Sequence, residues 1–129
     1  MEFITVEDCT SDNILMVEES DVAYANTCLE ATAKGMGLAE EEIAIPASAL
    51  VKHYGTVLAY RERALSMIGS DATVMADGSR SEDIYYQKYK LYDALAKELE
   101  GKLDYSSFAL DGTDGSGKGG VGIIRLSRA

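Results

Sequence analysis

Apolar residues recur at three- and four-residue steps through most of this 129-residue chain, the period of a helix with one buried face. The step is clearest over 81–103, where Tyr85, Tyr89, Tyr92, Ala96, Leu99 and Leu103 form a stripe flanked by Ile84, Leu91 and Leu95. Burying each large side chain contributes about 1.5–3 kcal/mol, against propensity differences of tenths of a kcal/mol, so the stripe decides which way this helix faces. A second run, Leu50, Val51, Tyr54, Val57, Leu58, Leu65 and Ile68, predicts a helix over 46–68 with Pro46 in its first turn, where the missing N–H costs nothing. Gly55 inside it costs about 1 kcal/mol relative to Ala unless something packs closely there. A third helix, Asp21 to Lys34, takes Ser20 as its cap and Gly35 as a left-handed stop, and presents Val22, Ala25, Leu29 and Ala33. Thr5 and Asp8 have capping-box spacing and predict a single turn, and 104–110 predicts another. Residues 69–80, rich in Gly, Ser and Asp, read as the loop between two antiparallel helices.

The helical pattern stops at Leu110. Gly112, Gly115, Gly117, Gly119 and Gly120 space out a tether, and Val121-Gly122-Ile123-Ile124-Arg125-Leu126 reads as a short strand with apolar residues on both faces. Such a strand seeks a sheet edge, its own or a neighbour's. The expected fold is mainly α, a small helical bundle of about three main helices. Residues 1–110 form the body, with an acidic N-terminal part (1–45) and a long helical hairpin (46–103). Residues 111–129 form a Gly-rich C-terminal arm ending in a short β-strand.

Length and composition support this reading. The chain is about one domain long, and 47% hydrophobic and 26% charged residues are globular proportions. One Pro and no Trp suit a helical protein. The net charge of −10 is uneven: residues 1–45 carry eleven acids against one base, Lys34, and the remainder cancels. That distribution argues against wrapping nucleic acid, which needs clustered Lys and Arg, while allowing a surface past which DNA slides. No apolar run approaches the ~20 residues of a spanning helix. Cys9 and Cys28 form no CxxC and no leader-like stretch precedes them, so two reduced, structural thiols in a cytoplasmically made protein are expected.

Candidate chemistry is thin. Gly112, Gly117 and Lys118 reproduce most of the phosphate-cradling pattern GxxxxGK[ST], but Gly119 replaces the magnesium-binding hydroxyl, and a helix precedes the run where a strand should. A calcium loop starting at Asp111 fails because Thr113 and Gly115 fall at ligand positions and no Glu closes it. His53 is the single histidine, and neither cysteine has a base beside it in sequence. The tyrosine stripe suits packing or an interface better than base stacking, given the negative charge. Arg61-Glu62-Arg63 reads as a solvated helix surface, or as a contact with the acidic third of another copy. No catalytic, cofactor-binding or metal site is expected.

Three stretches in this order, "IPASALVKHYGTVLAYRERALSMIG" at 45–69, "DIYYQKYKLYDALAKELEGKL" at 83–103 and "GVGIIRLSRA" at 120–129, resemble the small head-tail connector (adaptor) proteins of tailed bacteriophages and prophages. The resemblance covers roughly the last two thirds of the chain, and the acidic N-terminal third has no place in the pattern. It implies an α-helical subunit that forms a homo-oligomeric ring of about twelve copies beneath the portal protein. Such a ring extends the DNA channel, through which DNA passes without specific binding, and docks the next neck or tail-completion protein. It further implies no enzyme activity, no cofactor, and residence in the virion neck after synthesis in the host cytoplasm. The C-terminal segment would be an arm that engages a neighbouring subunit or the portal. Val121, Ile123, Ile124 and Leu126 would anchor it, with Arg125 and Arg128 as salt-bridge donors and Arg61 and Arg63 as interface residues on the body. Two readings from other classes stand beside it: a small acidic regulatory or anti-host binding module that mimics nucleic acid, and a nucleotide-handling enzyme dependent on Lys118.

Overall fold

The computed structural model describes residues 1–68 and 84–110. They build a mainly helical bundle: α1 (Glu19–Gly35), α2 (Ala49–Met67), α3 (Ile84–Glu100) and a single turn, α4 (Tyr105–Phe108). Two 3-10 turns, Val6–Asp8 and Glu40–Glu42, punctuate the connections. The expected loop at 69–80, the glycine run and the terminal strand at 121–126 lie outside the described residues.

The central helix is α2, with α1 packed on one side and α3 on the other. It can serve two neighbours because Val51, Tyr54, Gly55, Val57, Leu58, Ala59, Tyr60 and Ala64 are all buried, a wider apolar face than one partner requires. Gly55 marks the α1 side: a Cβ there would sit 2.8 Å from Leu29 Cδ1 and 3.1 Å from Ile4 Cγ2. The glycine that weakens the helix locally is thus what lets α1 and the N-terminal segment close onto it. On the α3 side, Tyr60 stacks against Tyr92 with ring centroids 5.1 Å apart, and Tyr54 donates to Glu100 Oε2 at 3.3 Å. From α3, Ala96 and Leu99 are buried, while Tyr85, Tyr89, Tyr92 and Leu95 pack partly against the core.

Three helix ends differ from the sequence expectation. Ser20 does not cap α1, which begins at Glu19; the Asp21 carboxylate reaches back to accept the Glu18 N–H at 2.9 Å, and this moves the start earlier. The left-handed residue at its other end is Gly37 (φ 96°), not Gly35. Gly37 N–H bonds to the Lys34 carbonyl and Leu38 N–H to the Ala33 carbonyl, and the buried Leu38 side chain closes the cap. Pro46, joined to Ile45 by a cis peptide bond, precedes α2 instead of entering its first turn. The cap is Ser48, whose Oγ accepts the Val51 N–H at 3.3 Å and donates to the Ser107 carbonyl. At the far end of α2 the buried position is Ala64, whereas Leu65 and Ile68, expected inside, are 49% and 39% exposed.

The acidic N-terminal third shares the same core. Phe3, Ile4, Cys9 and Leu15 are buried, and Asn26 on α1 holds the segment by accepting the Phe3 and Ile4 N–H groups and donating to the Ile4 carbonyl. As its spacing predicted, Thr5 pairs with Asp8, whose Oδ2 accepts the Thr5 N–H at 2.9 Å. Near the end of the described residues, Asp104 caps α4 and Phe108 stands edge-on to Phe3. Ala109 then forms an antiparallel bridge with Ile43, bracketed by Ala44 N–H to the Phe108 carbonyl (2.7 Å) and Leu110 N–H to the Glu42 carbonyl (2.9 Å). No helix among the described residues is long and apolar enough to cross a membrane.

Candidate functional site

Asp12 is the polar centre of the molecule. Its side chain is 4% exposed, and its oxygens accept the backbone N–H groups of Ile14 and Leu15, the Lys88 ammonium at 2.9 Å and the Tyr92 hydroxyl. Burial alone would raise this carboxyl, but the bonds from Tyr92, Lys88, Ile14 and Leu15 outweigh it and hold Asp12 below the usual carboxylate range. The Tyr92 hydroxyl is pushed up in turn, first by burial and then by Asp12. Tyr60, beside Tyr92, carries the network to Ser11, whose N–H and hydroxyl both meet the Tyr60 oxygen. Every partner of Asp12 is fixed by a hydrogen bond within the fold. The cluster pins the N-terminal segment to α3 through Lys88 and Tyr92, and to α2 through the Ser11–Tyr60 pair.

Arg61 and Arg63 are committed within their own chain. Arg61 bonds to Asp93 on α3 at 3.1 Å, and Arg63 pairs with Glu18 at 3.1 Å and Asp21 at 3.6 Å. Of the Arg61-Glu62-Arg63 run, Arg63 meets the acidic third of its own copy, whereas the sequence reading placed that contact on another copy. Both side chains are about a quarter exposed or less, so they are held against the body and not fully solvated. The spacing could not reveal this, because the partners lie 32 to 45 residues away along the chain.

The remaining titratable candidates are inert or open. Burial, then Asp8 and Asp21, push the Cys9 thiol up to about 11, where thiolate chemistry at neutral pH is suppressed. Cys28 is half-buried, and its hydrogen bond is the main cause of a raised Tyr24 hydroxyl. Burial, then Glu100, drive Tyr54 to about 12. His53 is exposed on α2. Among the described residues, no cluster of His, Cys, Asp and Glu is placed to hold a metal ion.

Among the described residues, two surface features lie at the ends of α2. One is a small cleft of about 80 Å³ where Ile14, Met16 and Met67 gather, next to the exposed end of α2. The other is a groove of about 520 Å³ at the opposite end of α2, between Ala44, Ile45 and Pro46 on one wall and Ala109 and Leu110 on the other. Ile45 and Leu110 are 46% and 40% exposed, so the groove has apolar lips. Sequence reasoning missed it, since neither wall is an element on its own and only the Ile43–Ala109 bridge brings them together. Of the interface residues expected from sequence, Val121, Ile123, Ile124, Arg125, Leu126 and Arg128 lie outside the described residues, as does Lys118.

Comparisons with protein-family models, with curated proteins and with solved structures find no match.

Proposed function

We propose that this chain is a structural protein of a tailed-phage virion, a head-to-tail adaptor whose copies form a ring beneath the portal. In this role it extends the DNA channel and docks the next neck or tail protein, and its mechanism is assembly. The observation that carries the reading is where the chain leaves the body. Leu110 ends the described residues at an exposed position on the lip of a groove whose apolar edges, Ile45 and Leu110, adjoin Ser48, Ser106 and Ser107, and 19 further residues follow it. Those residues combine a glycine-spaced tether with the apolar segment 121–126. Ordering such a tether costs about 1 kcal/mol or more per residue, an expense that pairing with another polypeptide can offset.

Charge supports the channel role. Glu2, Glu7, Asp8, Glu19, Glu40 and Glu41 are exposed, and a lining of carboxylates repels DNA and keeps it mobile. The same residues favour the second reading, an acidic module that mimics nucleic acid to bind a basic host protein. Mass measurement separates the two. Mixed with purified portal at micromolar concentration, the adaptor forms a discrete multi-copy complex; a chain that stays monomeric, and instead binds a basic protein in a strongly salt-dependent manner, is the mimic.

A further inference from the structure

The groove beside Pro46 sits where α2 begins and α4 ends. At about 520 Å³ it is large enough for several side chains, and its lips, Ile45 and Leu110, are apolar and exposed. Its walls are already extended backbone: Ile43 lies at φ −92°, ψ 131° and Ala109 at φ −75°, ψ 145°, and the two are joined as a minimal antiparallel ladder. The Ile43 and Ala109 N–H groups already bond to the Glu40 and Tyr105 carbonyls, so what this wall offers a further strand is carbonyl acceptors, with side chains seated in the adjoining groove.

We propose that this groove is the seat for residues 121–126 of a second copy of the same chain. The seat presupposes the arm's linking role put forward above. Three observations favour that occupant. The first is reach: ten residues, 111–120, separate Leu110 from Val121, which as a random coil would span about 17 Å and fully extended about 33 Å, a length that carries Val121 beyond the lip at which its own body ends. The second is charge. From Gly115 to the end the chain holds Lys118, Arg125 and Arg128 and no acid, while the Glu40–Glu42 turn leads straight into one wall of the groove and Asp104 caps the helix before the other. The third is pattern. Read as a strand, the segment turns Val121 and Ile123 to one face and Ile124 and Leu126 to the other. A groove on one body covers a single face, and the opposite face is buried only when a second body closes over it. Seated between two copies, the segment would have both faces covered, whereas in the groove of its own subunit alone it would keep one face in water.

The test uses the full chain. A copy carrying Ile123→p-benzoylphenylalanine is mixed with an excess of heavy-isotope-labelled wild-type copies, irradiated and digested for mass spectrometry. The cross-linked partner peptides are expected to contain residues 44–48 or 106–110 and to carry the heavy label. Their yield should fall about tenfold or more when the labelled copies carry Leu110→Asp. Cross-links carrying only light label place the arm on its own subunit and overturn the proposal, as do cross-links that land elsewhere, that are absent, or that ignore Leu110→Asp. Portal binding is scored on the same samples. Co-assembly with no cross-link to the groove refutes the seat and leaves the adaptor reading standing, whereas groove cross-links without portal binding support the seat and count against the adaptor.

Discussion

Replacing Asp12 with alanine removes the acceptor that four donors share. Ile14 is 42% exposed, so its N–H can turn to water, and the Lys88 side chain, 23% exposed, can swing outward at little cost. The Leu15 N–H, on a residue 2% exposed, and the half-buried Tyr92 hydroxyl have no such escape. Leaving a buried donor unpaired costs about 1–3 kcal/mol each, so Asp12→Ala should lower stability by about 3 kcal/mol. With a urea slope of about 1.5 kcal/mol per molar, the unfolding midpoint followed by circular dichroism falls by roughly 2 M. Asp12→Asn keeps an acceptor for the two backbone groups and loses only the charge, at a cost of about 1–2 kcal/mol. The sign with pH follows from the direction of the shift. The Asp12 carboxyl is lower in the folded state than its unfolded value of about 3.9, so its contribution is complete above that value and is lost as pH falls through the folded one. Glu30, Asp93 and Asp104 are depressed as well, so the informative quantity is the difference between wild type and Asp12→Asn, which should shrink below about pH 4. An alanine variant within about 0.5 M of wild type, or a difference that stays constant into acid, refutes the reasoning.

Three further outcomes follow from the packing. Gly55→Ala should destabilise by about 1 kcal/mol although alanine is the better helix former, because its methyl meets Leu29 and Ile4, both fully enclosed; a stabilised variant contradicts the close approach. Asn26→Ala should cost about 1–2 kcal/mol and speed amide hydrogen exchange at Phe3 and Ile4 more than along α3; uniform acceleration would show that Asn26 does not hold the N-terminal segment. In the native protein, a thiol reagent at neutral pH should label Cys28 well before Cys9, whose labelling should track unfolding; equal native rates would contradict Cys9's burial and raised thiol.

The helices were legible in the sequence because one-sided apolar periodicity depends on local spacing, and the stripe of Tyr85, Tyr89, Tyr92, Ala96 and Leu99 does face α2. Single-turn caps such as Thr5 with Asp8 were legible for the same reason. Competition between caps was harder to read. Ser20 and Glu18 both stood near the start of α1, and the choice turned on where the Asp21 carboxylate could reach. Long-range pairings were not legible at all. Asp12 looks like any loop acid until Lys88 and Tyr92, more than seventy residues on, close over it. Arg61 and Arg63 had the look of a free surface until Asp93, Glu18 and Asp21 were placed beside them. Gly55 raised the right question locally, and its answer needed Leu29 and Ile4. The groove is a product of tertiary structure alone, made by two short walls that meet at Ile43 and Ala109, 66 residues apart.

The claim beneath all of this is that the helical body stands by itself and the last residues serve another polypeptide. Deleting residues 112–129 and comparing helical content, unfolding midpoint and portal-bound mass with the full chain tests it most directly. The account predicts a truncated body that keeps its helicity and its midpoint within about 1 kcal/mol while association with the portal is lost. A truncated chain that unfolds, or that assembles on the portal as well as the full chain does, contradicts it.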